Sequence, residues 1–197
     1  MRFGVVGPAE SDSALLELAV DLLVTEFEVD MIVYLGADEA IRDFITAHQR
    51  DKSESSFEQR VAQVAATGSP SEITDVLRAL RGARHLEKLR LLPRPPANAI
   101  EMIDDRIILL VRNRSSIGEE DVINSNVVIY GDAKELAFKR YGPRCFFSPG
   151  RLEGGHVGIL GNEAASDGVS LRAMDLTGEL LWTEPIRGRG AKMKVAP

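Results

Sequence analysis

The stretch RFGVVGPAESDSALLELAVDLLVTEFEVDMIVYLGAD (2–38) decides the fold. It opens on a short apolar run, RFGVVG (2–7), that ends in Gly-Pro, as a buried strand stopped by a turn would. Ser11, Asp12 and Ser13 then offer N-caps to ALLELAVDLLVTEF, a helical stretch reaching about Phe27. VDMIVYLG follows as a second apolar run ending at Gly36. Strand, helix and strand in this space make a βαβ unit, so the two strands are expected to be parallel. Gly4-Val-Val-Gly7-Pro8 is no dinucleotide fingerprint, because the third glycine is absent and proline interrupts the turn. A further helix is predicted from Asp38 to about Gln49, with Ile41, Phe44, Ile45 and His48 on one face.

The middle of the chain is helical. Ser55-Ser56-Phe57-Glu58 and Ser69-Pro70-Ser71-Glu72 both read as capping boxes, the second with proline at the first helical position. Phe57, Val61, Val64 and Ala65 follow the first at helical spacing, and Ile73, Val76, Leu77 and Leu80 the second. PRPPAN (93–98) cannot continue a helix and marks the expected return to a sheet. The second half then changes period. IEMI, RIILLVR, NVVIYG, the CFF run, HVGILG, GVSLRAMDL and GELLWTEPI are short β-rich runs separated by Asp-Asp, Gly-Pro, Asp-Gly and Thr-Gly turns. One domain is expected over 1–186, with a helical insertion at about 51–98 and a basic tail at 187–197. The tail carries Arg187, Arg189, Lys192 and Lys194 and no acid, as a solvated terminus or a dock for an acidic partner would.

Composition excludes several classes. With 197 residues, 44% apolar and 27% charged, the chain has the profile of a globular protein with a real core. Twenty-four Lys and Arg against thirty Asp and Glu give a net charge of −6, against a general nucleic-acid binder. No run approaches the roughly 18–20 apolar residues of a membrane span. The start, MRFGVV, lacks the charged and apolar regions of a signal peptide, so a cytoplasmic address is expected. The single cysteine, Cys145, excludes an intramolecular disulfide and a multi-cysteine zinc site, and its apolar setting reads as a buried thiol.

In this order the pieces resemble the small bacterial calcineurin-like metallophosphoesterases, including the branch of the retromer's phosphoesterase-like subunit. The resemblance implies an α/β fold, a four-layer αββα sandwich of two mixed β-sheets flanked by helices, here with a helical insertion in the middle. The family pattern runs Asp-x-His, Gly-Asp, Gly-Asn-His/Cys-Asp, His-Gly-His, Gly-His-Thr-His and Asn-Pro-Gly-Ser, each turn after a strand. Against it, Pro8 and Glu10 stand at the first pair of ligand positions. In IVYLGAD, Ala37 stands at the aspartate and Asp38 one residue late. Arg112 and Arg114 replace the histidines after RIILLV, and Asp132 and Lys134 replace both in VVIYGDAKE. FFSPGRL matches the last turn.

The resemblance therefore implies a fold without its chemistry. Proline and alanine cannot ligate a metal, and a guanidinium cannot be deprotonated to do so and repels a nearby dication. Three histidines, His48, His85 and His156, are too few to rebuild the site. No catalytic residue, metal or cofactor is expected. Arg112 and Lys134 are expected to approach Glu10 and Asp132 in an ion-pair network, with Asp38 and Asn113 beside them. Two other readings stay open: a cationic cleft that binds a phosphate or nucleotide without cleaving it, and a one-metal site of Glu10, Asp38 and Asp132.

By analogy with the retromer subunit, which docks partners through apolar patches, the expected role is a protein-interaction scaffold or regulator. The insertion around Phe57–Leu92 and the basic tail are the expected docking elements. Leu86, Leu89 and Leu92 in HLEKLRLLP, and Trp182, are candidate contacts as well as candidate core residues. The rival class is a phosphodiesterase or phosphatase with a rearranged metal site.

Overall fold

The computed structural model describes residues 1–49, 54–94, 98–162 and 168–188, the side chains of 54–60 excepted. The opening βαβ unit forms as its sequence predicts. β1 (Arg2–Val6) and β2 (Met31–Tyr34) pair in parallel, Phe3 opposite Met31 and Val6 opposite Tyr34, around α1 (Ser13–Thr25). Asp12 caps α1 by accepting the Leu15 N–H at 2.9 Å. Leu16, Ala19, Val20, Leu23 and Val24 recur at helical spacing and are buried. α2 (Glu39–Gln49) buries Ala40, Ile41 and Phe44 beside it.

α3 (Glu54–Thr67) and α4 (Pro70–Lys88) form the middle region. The capping box of α4 is complete. The Ser69 N–H donates to Glu72 Oε2 at 2.8 Å, and the Glu72 N–H returns to Ser69 Oγ at 3.4 Å. The box expected at Ser55 involves side chains outside the described residues, and Ser55 falls within α3.

Two sides of α4 differ. One side buries Val76, Gly82 and His85, whereas Ile73, Leu77 and Leu80 are 43%, 56% and 43% exposed. The chain returns to the sheet at β3 (Leu89–Leu91), parallel to β2 with Leu89 opposite Ile32, so the return precedes the proline run expected to mark it. Pro95, Pro96 and Ala97 of that run lie outside the described residues.

A second sheet follows: β4 (Ala99–Ile103), β5 (Arg106–Val111), α5 (Glu119–Asn124), β6 (Val127–Tyr130), β7 (Ala137–Tyr141) and β8 (Arg144–Ser148). Its strand order is β4-β5-β6-β8-β7, with β5, β6 and β8 mutually parallel. β9 (His156–Asn162), β10 (Val169–Asp175) and β11 (Leu180–Pro185) return to the first sheet, ordered β11-β10-β9-β1-β2-β3.

Strand alternation sorts the apolar side chains into three layers. Val6, Ile32, Tyr34, Val157 and Ile159 pack under α1 and α2; Phe3, Val5, Val33, Ile108, Ile129 and Phe147 fill the space between the sheets. Leu109, Val111, Val128 and Tyr130 line the outer face of the second sheet, with Ile117 over them. Two mixed sheets flanked by helices are the expected α/β sandwich. Cys145 is buried between the sheets, and burial pushes its thiol pKa up.

Leu86, Leu89 and Leu92, candidates both for core and for partner contact, pack into the core layers. Leu89 belongs to the layer under the helices with Leu86 against it, and Leu92 belongs to the layer between the sheets. Trp182 is half-buried there too, its ring 4.9 Å from Phe138 and 5.7 Å from Phe147 between centroids. These side chains help hold the sandwich together, as the core reading of them expects.

Candidate functional site

Five turns leave the C-terminal ends of β1, β2, β5, β6 and β8 and meet at one end of the sandwich. Their backbones touch. A methyl group on Gly7 would lie 1.8 Å from the Gly150 carbonyl oxygen, and one on Gly131 would lie 2.8 Å from Leu35 Cβ and 3.2 Å from the Arg112 carbonyl oxygen. Hydrogen bonds tie the turns together: Leu35 N–H to Val6 O at 2.9 Å, Leu152 N–H to Pro8 O at 2.8 Å, and Arg151 N–H to Lys134 O at 3.2 Å. The turns that carry these sequence positions therefore lie together, and the space they border is termed the cleft.

Each of the three sequence-predicted carboxylates, Glu10, Asp38 and Asp132, has a donor. Asp38 accepts the Tyr34 hydroxyl at 2.7 Å and the Glu10 N–H at 3.1 Å. Tyr34 is buried, and its oxygen also accepts the Ala9 N–H at 2.8 Å. Burial, and then the hydrogen bond to Asp38, hold the phenol pKa far above its ordinary value, so the hydroxyl keeps the proton it donates. Glu10 reaches Arg151, Oε1 to Nη1 at 2.7 Å. Asp132 accepts Arg114 Nε at 3.0 and 3.2 Å, and the same guanidinium lies 4.8 Å over the Tyr130 ring.

The ion pairs are thus real but use other cations than Arg112 and Lys134. Arg112 turns away and donates from Nη2 to the Leu92 carbonyl, anchoring the chain just after β3. Lys134 lends the cleft its backbone carbonyl, and its exposed side chain enters no ion pair among the described residues. Asn113 is a turn residue: its Oδ1 accepts the Ser115 N–H at 3.0 Å and caps the short 3₁₀ turn (Arg114–Ser116) that swings Arg114 round to Asp132. Pro8 and Ala37 hold their turns and contribute no ligand atom. Tyr34 and Arg151 were missed by sequence reasoning. Arg151 had a usable signal, because it directly follows Ser148-Pro149-Gly150.

Among the described residues no group of three or more His, Cys, Asp or Glu side chains is placed to hold a metal ion. His48 and His85 stand on the helical face, away from the turns. There Glu17 Oε1 lies 3.7 Å from His48 Nε2, and Asp21 Oδ1 lies 3.3 Å from His85 Nε2.

Neither a family model nor a curated protein matches the sequence. Solved structures do match the fold. YfcE, a phosphoesterase from E. coli, superposes with a TM-score of 0.58 at 13% identity, over 95% of this chain and 100% of that one. A predicted phosphoesterase from Streptococcus pneumoniae TIGR4 gives 0.54 at 11% identity, over 93% and 95%. A single mutant of Vps29 from Entamoeba histolytica gives 0.50 at 15% identity, over 94% and 98%. The chain has the fold of the calcineurin-like metallophosphoesterases over nearly its whole length.

Proposed function

We propose that this chain is a non-hydrolysing representative of the metallophosphoesterase fold that works as a protein-interaction scaffold or regulator. Two-metal hydrolysis of a phosphoester requires two dications about 3.5–4 Å apart, held by carboxylates and imidazoles, to activate water and stabilise the leaving oxygen. The donors in the cleft do not fit that pair. Pro8 and Ala37 have no ligand atom, Arg112, Arg114 and Arg151 repel a dication, and Glu10, Asp38 and Asp132 are engaged by Arg151, Tyr34 and Arg114. The observation that carries the reading is this engagement: the charges that a metal would balance are balanced by guanidiniums and a neutral phenol.

Docking is supported by the exposed stripe Ile73, Leu77 and Leu80, which follows one side of α4 where its sequence predicts an apolar face. The retromer branch of the resemblance supplies a precedent by analogy. No helix among the described residues is long and apolar enough to cross a membrane, so the stripe is not part of a helical span. Two measurements test the reading. The chelator-stripped protein with added Mn²⁺ or Mg²⁺ is expected to leave bis(4-nitrophenyl) phosphate unhydrolysed. Cation-dependent turnover that disappears in Glu10→Ala or Asp132→Ala would establish the enzyme reading instead. For docking, Leu77→Asp is expected to abolish capture of the partner while leaving the melting curve unchanged.

A further inference from the structure

The opposite end of the second sheet carries a second cluster of cations, and these have no carboxylate. A cavity of about 330 Å³ opens where β6 and β8 begin, lined by Ile123, Ser125, Asn126, Pro143, Arg144 and Arg187. That volume lies at the lower end of the range for small-ligand sites. No lining residue is acidic, although the chain as a whole carries six more acids than bases. Arg144 spends one donor, Nη2, on the Ile123 carbonyl at 3.0 Å, while its Nε–H is buried with no hydrogen-bond partner. Arg187 is exposed and enters no ion pair among the described residues.

Two acids near the cavity are already paired. Asp105, which backs Gly188, pairs with Arg106, and Glu184 pairs with Arg140. Ser125 and Asn126, only 4% and 6% exposed, give the cavity a rigid polar floor. Asn126 is locked in place, its Oδ1 accepting the Ile107 N–H at 2.8 Å and its Nδ2 donating to the Arg187 carbonyl at 3.3 Å. That last bond holds the Arg187 backbone at the cavity's rim.

We propose that this cavity binds a phosphate group, either free phosphate or the phosphomonoester of a small molecule. Arg144 and Arg187 both line the cavity, and the planar fork of donors on a guanidinium matches phosphate oxygens. Two unopposed guanidiniums balance the roughly −1.5 to −2 charge of a phosphomonoester at neutral pH. The size of the cavity leaves room for a group attached to the phosphorus. The site is independent of the cleft and of the function proposed for it, because it uses none of the same residues.

Titration calorimetry of the full chain at low salt, with inorganic phosphate and with O-phosphoserine, tests the assignment. Saturable one-site binding with Kd below about 1 mM is expected for at least one of them. Tighter binding of phosphoserine identifies an ester, and equal or tighter binding of inorganic phosphate identifies the free anion. Arg187→Gln, which alters an exposed side chain, and Arg144→Gln are each expected to weaken binding about tenfold. Lys134→Gln, at the far cleft, is expected to leave Kd unchanged. Absence of saturable heat with both probes would overturn the proposal. So would unaltered binding in both arginine variants, or loss of binding in Lys134→Gln.

Discussion

The two ends of the sandwich treat charge in opposite ways. At the cleft end, Glu10, Asp38 and Asp132 meet Arg151, Tyr34 and Arg114, and the turns that bring them together are in backbone contact. At the other end, Arg144 and Arg187 border an open cavity without a carboxylate, and the neighbouring hairpin turn is loose enough that a methyl group on Gly142 would meet nothing within 4 Å. The three paired carboxylates need no added cation, although Arg112 Nε beside them is buried without a hydrogen-bond partner. The unopposed pair of cations gains from an anion. In the proposed reading, the end that is catalytic in the resembling family is the one with paired carboxylates here, and the proposed phosphate site lies at the end where the parallel strands begin.

Substitutions can break this contrast. The largest effect is expected for Gly7→Ala, whose methyl group must displace the Gly150 carbonyl, a backbone atom with nowhere to move. A loss of about 3 kcal/mol or more in denaturant unfolding is expected. The matching change at the open end, Gly142→Ala, meets no atom and carries only the strain of φ +58, so about 1 kcal/mol is expected. Equal losses at the two turns would erase the distinction between a packed end and a loose one. Tyr34→Phe leaves the Ala9 N–H without its acceptor and removes the hydroxyl donor of Asp38, for an expected loss of about 1–3 kcal/mol.

The helical face sharpens the contrast, because its charge pairs depend on pH. His85 is 1% exposed, and burial lowers its pKa below the ordinary imidazole value, with Asp21 opposing. Glu17 and Asp21 of α1, His48 of α2 and Arg81 of α4 are the charged and titratable groups acting on it. With a native pKa below the unfolded one, the unfolded chain takes up the proton first as pH falls. Stability therefore holds above about pH 6.5 and declines below it, levelling off once pH passes the native value. Thermal melts of wild type and His85→Gln across this window are expected to differ in slope, the variant losing the imidazole's share of the decline. The smallest effects are expected for Arg114→Ala and Arg151→Ala. Both side chains are well exposed, so each change should stay within about 1 kcal/mol in denaturant unfolding.

Most of the architecture was legible because the apolar period changes where the structure does. RFGVVG and MIVYLG alternate between two buried faces, and the α1 stripe repeats every three or four residues. β3 was not legible: its three residues continue the leucine spacing of HLEKLRLLP, and pairing with β2, a long-range contact, ends the helix at Lys88. β7 was missed because AFKRY, an edge strand, carries Lys139 and Arg140 and breaks the apolar pattern, as edge strands do. Within the cleft, the convergence of turns followed from the resemblance, but the choice of partners did not. Arg112 and Arg114 are two residues apart, and only the turn at Asn113 sends one to Leu92 and the other to Asp132.

Titration calorimetry of the chelator-stripped protein with Mn²⁺, alongside metal analysis of the protein as purified, bears most directly on the closed cleft. The ion-paired carboxylates predict no saturable binding and no stoichiometric metal. Tight uptake of one or two equivalents, lost in Asp132→Ala, would contradict the closed cleft and restore a metal-dependent phosphoesterase.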